Sequence, residues 1–321
     1  MTTLQQQPSR PALNRKKAKP FLKWAGGKTQ LLSQFEALYP PELKAGQIEN
    51  YVEPFIGGGA VFFEMAHNYP IKSAYLYDVN VELVLIYKVI QRHVMRLLEQ
   101  LEDYSYEYKR RDAEDREAFY YRTRARLNSQ KDQIDFEYFS DNWISRAATL
   151  LFLNRTCFNG LFRLNSQREF NVPHGSYKNP RIFDAANLQN ASKALQIAEI
   201  QVGDFERCAD VVDSNTFVYF DPPYRPLSKT ASFTAYSQYR FGDDEQARLA
   251  HFFAKLDREH GAKLMLSNSD PSNEDPGDTF FDDLYRGFNI HRVLAHRMIN
   301  SNGAKRGKVR ELVITNYGAL A

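Results

Sequence analysis

Tyr51-Val52-Glu53-Pro54-Phe55-Ile56-Gly57-Gly58-Gly59-Ala60-Val61-Phe62-Phe63 reads as a short strand, a glycine-rich turn and the start of a helix. Glycines in such a turn let the backbone approach a ligand closely, and the helix N-terminus favours polar ligand groups. A second strand, Ser73-Ala74-Tyr75-Leu76-Tyr77, runs into Asp78-Val79-Asn80, so Asp78 lies 19 residues after Gly59. An acid about 20 residues beyond a glycine turn, closing the second strand, is the usual partner of ribose hydroxyls in doubly wound α/β folds. The competing reading is a structural turn followed by a helix-capping aspartate. Phe62 interrupts the G-x-G-x-x-G pattern, which disfavours a dinucleotide.

Further along, the β-branched and aromatic run Thr216-Phe217-Val218-Tyr219-Phe220 reads as a buried strand, and Asp221-Pro222-Pro223-Tyr224 follows it. A Pro-Pro pair forces the chain out of the ladder into a stiff, extended turn. Prolines lack an N–H, so this backbone offers mainly acceptors, beside a carboxylate and an aromatic face. An exocyclic amine on a flat ring suits that arrangement; a rigid surface turn is the plain alternative. Nearer the start, Phe21-Leu22-Lys23-Trp24-Ala25-Gly26-Gly27-Lys28-Thr29 hints at a P-loop, but that motif needs Gly where this chain has Leu22. What remains is a Trp and a Lys flanking a two-glycine turn, able to stack on and bond to a ligand.

Together these segments resemble the DNA adenine-N6 methyltransferases of the Dam and DpnII type, from about Pro20 to Tyr317. The order K-W-A-G-G-K, E-P-F-x-G-G-G, D-x-N and D-P-P-Y is the family's own. The likeness extends to Asn159-Gly160-Leu161-Phe162-Arg163, Phe170-Asn171-Val172-Pro173, Ser267-Asn268 and Ser301-Asn302-Gly303. Position 158 is Phe, where some members carry Tyr. The resemblance implies a doubly wound α/β sheet that binds S-adenosylmethionine, with an inserted, mainly helical DNA-recognition domain. It places the cofactor against Trp24, Lys28, Glu53, Phe55, the Gly57 to Gly59 turn, Asp78 and Phe205. Asp204 would accept from the cofactor's adenine amine, with a helix cap as the rival role. Asp221 and the Pro222 carbonyl would accept from a target adenine amine, with Pro223 stiffening the turn and Tyr224 stacking on the flipped base. Phe158, Asn159, Leu161 and Arg163 would sit on a base-reading hairpin, with Tyr177 near the DNA backbone, and the suggested site is GATC. A second basic set (Arg292, Arg297, Lys305, Arg306, Lys308 and Arg310, near Asn302) would hold the strand beside the active site.

Composition agrees with a soluble cytoplasmic enzyme of 321 residues. Two cysteines, Cys157 and Cys208, argue against a disulfide framework. No apolar run approaches the ~20 residues of a membrane span, no signal-peptide core is visible, and no metal site is expected. Net charge is +3, but residues 1–19 carry five basic side chains and no acid, leaving 37 basic against 39 acidic residues beyond. A polyanion such as double-stranded DNA must then be met by local patches.

The chain divides into a basic arm over 1–19, a catalytic domain over 20–82 and 191–321, and a recognition domain over 83–190. Strands are expected at Ile197 to Val202, Phe217 to Phe220, Lys263 to Ser267 and Leu312 to Asn316. Residues 154–181 hold Arg155, Arg163, Arg168, Lys178 and Arg181 against Glu169 alone, with Phe158, Phe162, Phe170 and Tyr177 interleaved. Basic residues draw in phosphates, Arg pairs with guanine and Asn with adenine, and aromatics fill the gap left by a displaced base. Two other readings stand beside this one: methylation of RNA or protein glutamine, the latter usually with Asn in place of Asp221, and a non-catalytic DNA-binding module. A companion restriction endonuclease would fit the first reading.

Overall fold

The computed structural model describes residues 17–225, 241–296 and 308–318. Thr216–Phe220, all five residues buried, forms β4 of a seven-stranded sheet. The others are β1 (Asn50–Glu53), β2 (Ser73–Asp78), β3 (Ala198–Val202), β5 (Lys263–Ser269), β6 (Asn289–His296) and β7 (Lys308–Thr315). Their order is β3-β2-β1-β4-β5-β7-β6. The first five are parallel, and β7 runs antiparallel to both its neighbours. A parallel sheet must be covered on both faces, which is why its strands read as continuous apolar runs.

Alternation along the strands sorts their side chains into two cores. Tyr51, Phe217, Tyr219, Met265 and Val313 face one way; Val52, Val218, Phe220, Leu264, Leu266, Leu312 and Ile314 face the other. The first face is covered by α1 (Leu32–Leu38), α3 (Ala60–Asn68) and the helices between β2 and β3; α2 (Pro41–Lys44) is a single turn. The second is covered by α8 (Asp243–His260) and α9 (Phe280–Leu284). Strand order reverses between β1 and β4, and a crevice opens beyond their carboxyl ends.

Between β2 and β3 lie α4 (Val81–Lys109), α5 (Ala113–Ser129), α6 (Asp141–Thr156) and α7 (Ala185–Ala194). Asn80 caps α4 by accepting from the Glu82 and Leu83 amides, and Asp112 caps α5 through Asp115. Helical geometry in α4 is interrupted at His93 (φ −134°, ψ 29°). The α6 helix is buried along most of its length and ties to α4 through Arg146, whose guanidinium grips both oxygens of Glu82 and donates to the Leu127 carbonyl at 3.2 Å. After α6 the chain folds back as an antiparallel hairpin, bridged at Cys157–His174 and Leu164–Phe170.

The expected strands are present, with bounds shifted by a few residues, and β6 joins them unannounced: its Asn, His and Arg residues sit on an edge strand. Of the arm, residues 1–16 lie outside the described residues. Lys17 pairs with Glu64, Ala18 is buried, and Lys19 exchanges backbone hydrogen bonds with the Asn187 side chain, so this end packs against α3 and α7. The run Lys109-Arg110-Arg111 is a solvated helix end whose two arginines pair with Glu107.

Replacing Glu82 by Ala strands the Arg146 charge in the core and should lower the unfolding free energy by about 3–5 kcal/mol, read from the denaturant midpoint. A loss below about 1 kcal/mol, the range of an exposed pair, would mean that water reaches the guanidinium.

Candidate active site

Asp221 leaves β4 at the crevice, where the two prolines hold the chain away from the sheet. The Gly26-Gly27 turn brings Lys28 beneath it, 3% exposed. The ammonium donates to Asp221 Oδ1 at 2.6 Å and to the Gly26 carbonyl at 2.9 Å, and stands 4.7 Å from the centre of the Tyr224 ring. Ser267 Oγ donates to the same Oδ1 at 3.2 Å. Burial pushes the Asp221 pKa up, and Lys28 and Ser267 act against that rise. Burial pulls the Lys28 pKa down; the charge and hydrogen bond of Asp221, with Tyr224 and Glu311, together outweigh it and raise it above the ordinary lysine value. Among the described residues, nothing donates to Oδ2. Tyr224 is 37% exposed, so its ring is open to a flat partner.

In the turn that follows the neighbouring strand β1, Gly57 (φ 45°) and Gly59 (φ 70°) take left-handed conformations. A β-carbon would stand 2.8 Å from Trp24 Nε1 at Gly57 and 2.5 Å from the Tyr87 hydroxyl at Gly59, so only glycine lets this turn pass between the two rings. Tyr87 donates to the Gly57 carbonyl at 3.0 Å. Asp78 closes β2 and accepts from the Gly57 amide at 3.2 Å and the Asn80 amide at 2.9 Å. Burial raises its pKa to about 6, against those hydrogen bonds. Glu53, 2% exposed, accepts from the Tyr51 hydroxyl at 2.6 Å, and burial drives its pKa well up.

These residues line one cavity of about 1240 Å³, larger than the ~300–1,000 Å³ usual for a single small ligand. It gathers Trp24, Lys28, Glu53, Phe55, Gly57, Gly59, Asp78, Asp204, Phe205 and the whole Asp221 to Tyr224 turn. Phe55, Phe205 and Phe241 form an aromatic cluster in the cavity wall, their ring centres 5.5–6.1 Å apart. Asp204 lines the cavity beside Phe205 and also caps the following 3-10 helix; Arg248 grips both of its oxygens at 2.9 and 2.7 Å. The sequence reading missed Phe241, Arg248 and Tyr87, whose partners are distant in sequence.

Phe158, Asn159, Leu161, Arg163 and Tyr177 do not line this cavity, although Phe162, Leu164 and Arg168 of the same hairpin do, with the Phe162 ring 5.4 Å from that of Trp24. Phe158 is half exposed, Asn159 takes a left-handed turn (φ 55°), and Leu161 and Arg163 are partly buried behind them. Arg163 Nε donates to Asn171 Oδ1 at 2.7 Å, which holds the hairpin arms together. Tyr177 lies under Lys23 Nζ at 4.8 Å. Asn154 joins the two regions: it accepts from the Lys23 amide and donates to the Lys23 and Gly160 carbonyls. Asn302 and Lys305 lie outside the described residues. Arg292 and Arg310, from the second basic set, converge instead on Asp270, and Arg292 also grips Asp282, so acids neutralise both.

A family model for D12 class N6 adenine-specific DNA methyltransferases matches residues 24–299. The chain belongs to that family. Relatives include the Type II methyltransferase M.MjaIII of Methanocaldococcus jannaschii, 52% identical over 93% of this chain and 99% of its own. The DNA adenine methylases of Haemophilus influenzae and Escherichia coli are 31% and 33% identical, over 96% and 93% of this chain and 97% and 95% of theirs. The chain is thus an adenine-specific DNA methyltransferase with S-adenosylmethionine as methyl donor. Among the described residues, no helix of the methyltransferase is long and apolar enough to cross a membrane, and no cluster of acids, His or Cys could hold a metal.

With its pKa near 6 against ~3.9 unfolded, Asp78 binds a proton in the folded state through a window where the unfolded chain has released it. Its contribution therefore favours folding at low pH and is lost as pH rises from about 4 to about 6. In cofactor-free protein, Asp78→Asn should flatten that part of the stability-pH curve. Superimposable curves would place the Asp78 pKa in the ordinary range.

Proposed function

We propose that the methyltransferase flips its target adenine out of double-stranded DNA into the cavity and holds the amine on the Asp221-Pro222-Pro223-Tyr224 turn, within GATC. The occupation of Asp221 Oδ1 carries this reading: with Lys28 and Ser267 on one oxygen, the other is left to receive an amine hydrogen. An adenine amine is a weak nucleophile because its lone pair is delocalised into the ring. Accepting one hydrogen at Oδ2 and the second at the Pro222 carbonyl pyramidalises the nitrogen and turns its lone pair across the cavity. Tyr224 stacks on the base, and Lys28, beneath both, keeps Asp221 anionic. Positioning then supplies much of the acceleration.

The residues present suit S-adenosylmethionine. The glycine turn admits a close backbone approach, Asp78 offers a carboxylate for ribose hydroxyls, and the Phe55–Phe205 cluster offers an apolar aromatic wall to an adenine ring with Asp204 beside it. Glu53, Trp24 and Lys28 flank the remaining space. Bound there, the cofactor supplies a methyl group on a sulfonium, an electrophile with a neutral leaving group.

Residues 83–190 carry target recognition, with Phe158, Asn159, Leu161 and Arg163 on the reading hairpin and Tyr177 at the backbone. The exposed Phe158 tip and the bridge from Asn154 to the Lys23 segment support this placement. Since M.MjaIII is named a Type II methyltransferase, a companion restriction endonuclease of the same specificity, and a cytoplasmic setting, complete the proposal.

Asp221→Ala should abolish methyl transfer to duplex DNA while leaving duplex binding within a factor of a few; near-native turnover would remove Asp221 from the chemistry. Arg163→Ala should cost about 1–3 kcal/mol of discrimination at one base pair, measured as methylation rates on GATC against singly substituted sites. Uniform slowing across all sites would reassign Arg163 to bracing the hairpin through Asn171.

A further inference from the structure

The structure assigns Ser267 and Gln246 to holding the Asp221-Pro222-Pro223-Tyr224 turn from opposite faces of the sheet, as positioning residues for methyl transfer. The inference rests on Asp221 being the amine acceptor. Adjacent residues of a strand point to opposite faces, and Ser267-Asn268 on β5 uses both. Ser267, on the face of Met265, receives the Tyr219 hydroxyl at 2.7 Å and donates its own proton to Asp221 Oδ1. Asn268, on the face of Leu266, donates to Gln246 Oε1 at 3.2 Å, and Gln246 Nε2 donates to the Pro223 carbonyl at 3.0 Å. Gln246, Ser267, Asn268 and Tyr219 are all fully buried.

Two buried amides and two buried hydroxyls would be costly beside an apolar turn without matched partners. Here each has one, and both chains of bonds end on the turn. Ser267 decides which carboxylate oxygen is taken, so the free oxygen faces the cavity. Gln246 fixes the peptide between Pro223 and Tyr224, and with it the placement of the Tyr224 ring and, one residue back, of the Pro222 carbonyl. The two arms differ in what they govern: the Ser267 arm acts on a charge, the Gln246 arm on a neutral carbonyl. Other ionisable groups around Asp221 are Lys28 beneath it, Glu53 on β1, Tyr219 and Tyr224 on its own segment, and Glu311 on β7. None of them is altered by either substitution.

The test compares Ser267→Ala, Ser267→Thr, Gln246→Leu, Gln246→Met and Asp221→Asn in the full chain. The readouts are the pH dependence of single-turnover methylation, cofactor affinity by calorimetry, and the Asp221 carboxyl-carbon NMR titration. Ser267→Ala removes a donor to the carboxylate, so the acid limb and the NMR midpoint should both move up by about half to one unit. Its plateau rate should fall roughly tenfold, with cofactor affinity unchanged and the hydroxyl of Ser267→Thr restoring the limb. Gln246→Leu should slow the plateau by a similar factor without moving limb or midpoint. Should it not fold, Gln246→Met, which keeps the length, stays neutral and loses the donor, should give the same pattern. Asp221→Asn inactive with native titration and rate in Ser267→Ala, or native rates in both Gln246 variants, overturns the positioning roles. An active Asp221→Asn instead overturns the catalytic reading beneath them.

Discussion

The ammonium of Lys28, buried under the D-P-P-Y turn, is the charge around which the active site is arranged. Three carboxylates, Glu53, Asp78 and Asp221, lie at the carboxyl ends of adjacent parallel strands, and burial raises the pKa of each. Left unbalanced, such a group would take up protons and lose its value as an acceptor. Lys28 lies against Asp221, its ammonium 4.7 Å from the centre of the Tyr224 ring, and so opposes that rise at Asp221. Backbone amides oppose the same rise at Asp78, and the Tyr51 hydroxyl opposes it at Glu53, but burial prevails at both. Each carboxylate thus has its own donors, and all three line the cavity.

Parallel topology makes this possible. The β1 and β4 strands diverge in connection at the switch point, so the glycine turn after one and the proline turn after the other open side by side. One turn is built from residues that permit close approach, the other from residues that cannot donate. The first suits a ligand presenting many acceptors and hydroxyls, the second a ligand presenting an amine. A single cavity is lined by both turns.

Much of this was legible in the chain because the decisive residues act through the backbone or through close neighbours. Proline and glycine report local conformation directly, and Asp78 could be placed by counting from Gly59. What stayed hidden depends on distance in sequence. Arg248 reaches Asp204 across 44 residues and Gln246 reaches Pro223 across 23, and neither helix position differs in type from an ordinary polar one. The β6 strand escaped because its polar residues suit an edge, where the pattern of a buried strand does not apply. Arg292 and Arg310 read as basic, yet Asp270, held in their midst, cancels what the composition suggested.

The most direct measurement is a crystal structure of the chain with a GATC duplex and a non-transferable cofactor analogue. The account predicts the target adenine out of the stack, its ring on Tyr224, and its amine within about 3.2 Å of Asp221 Oδ2 and the Pro222 carbonyl. An adenine still paired in the duplex, or an amine directed at Glu53 or Asp78 instead, would contradict it.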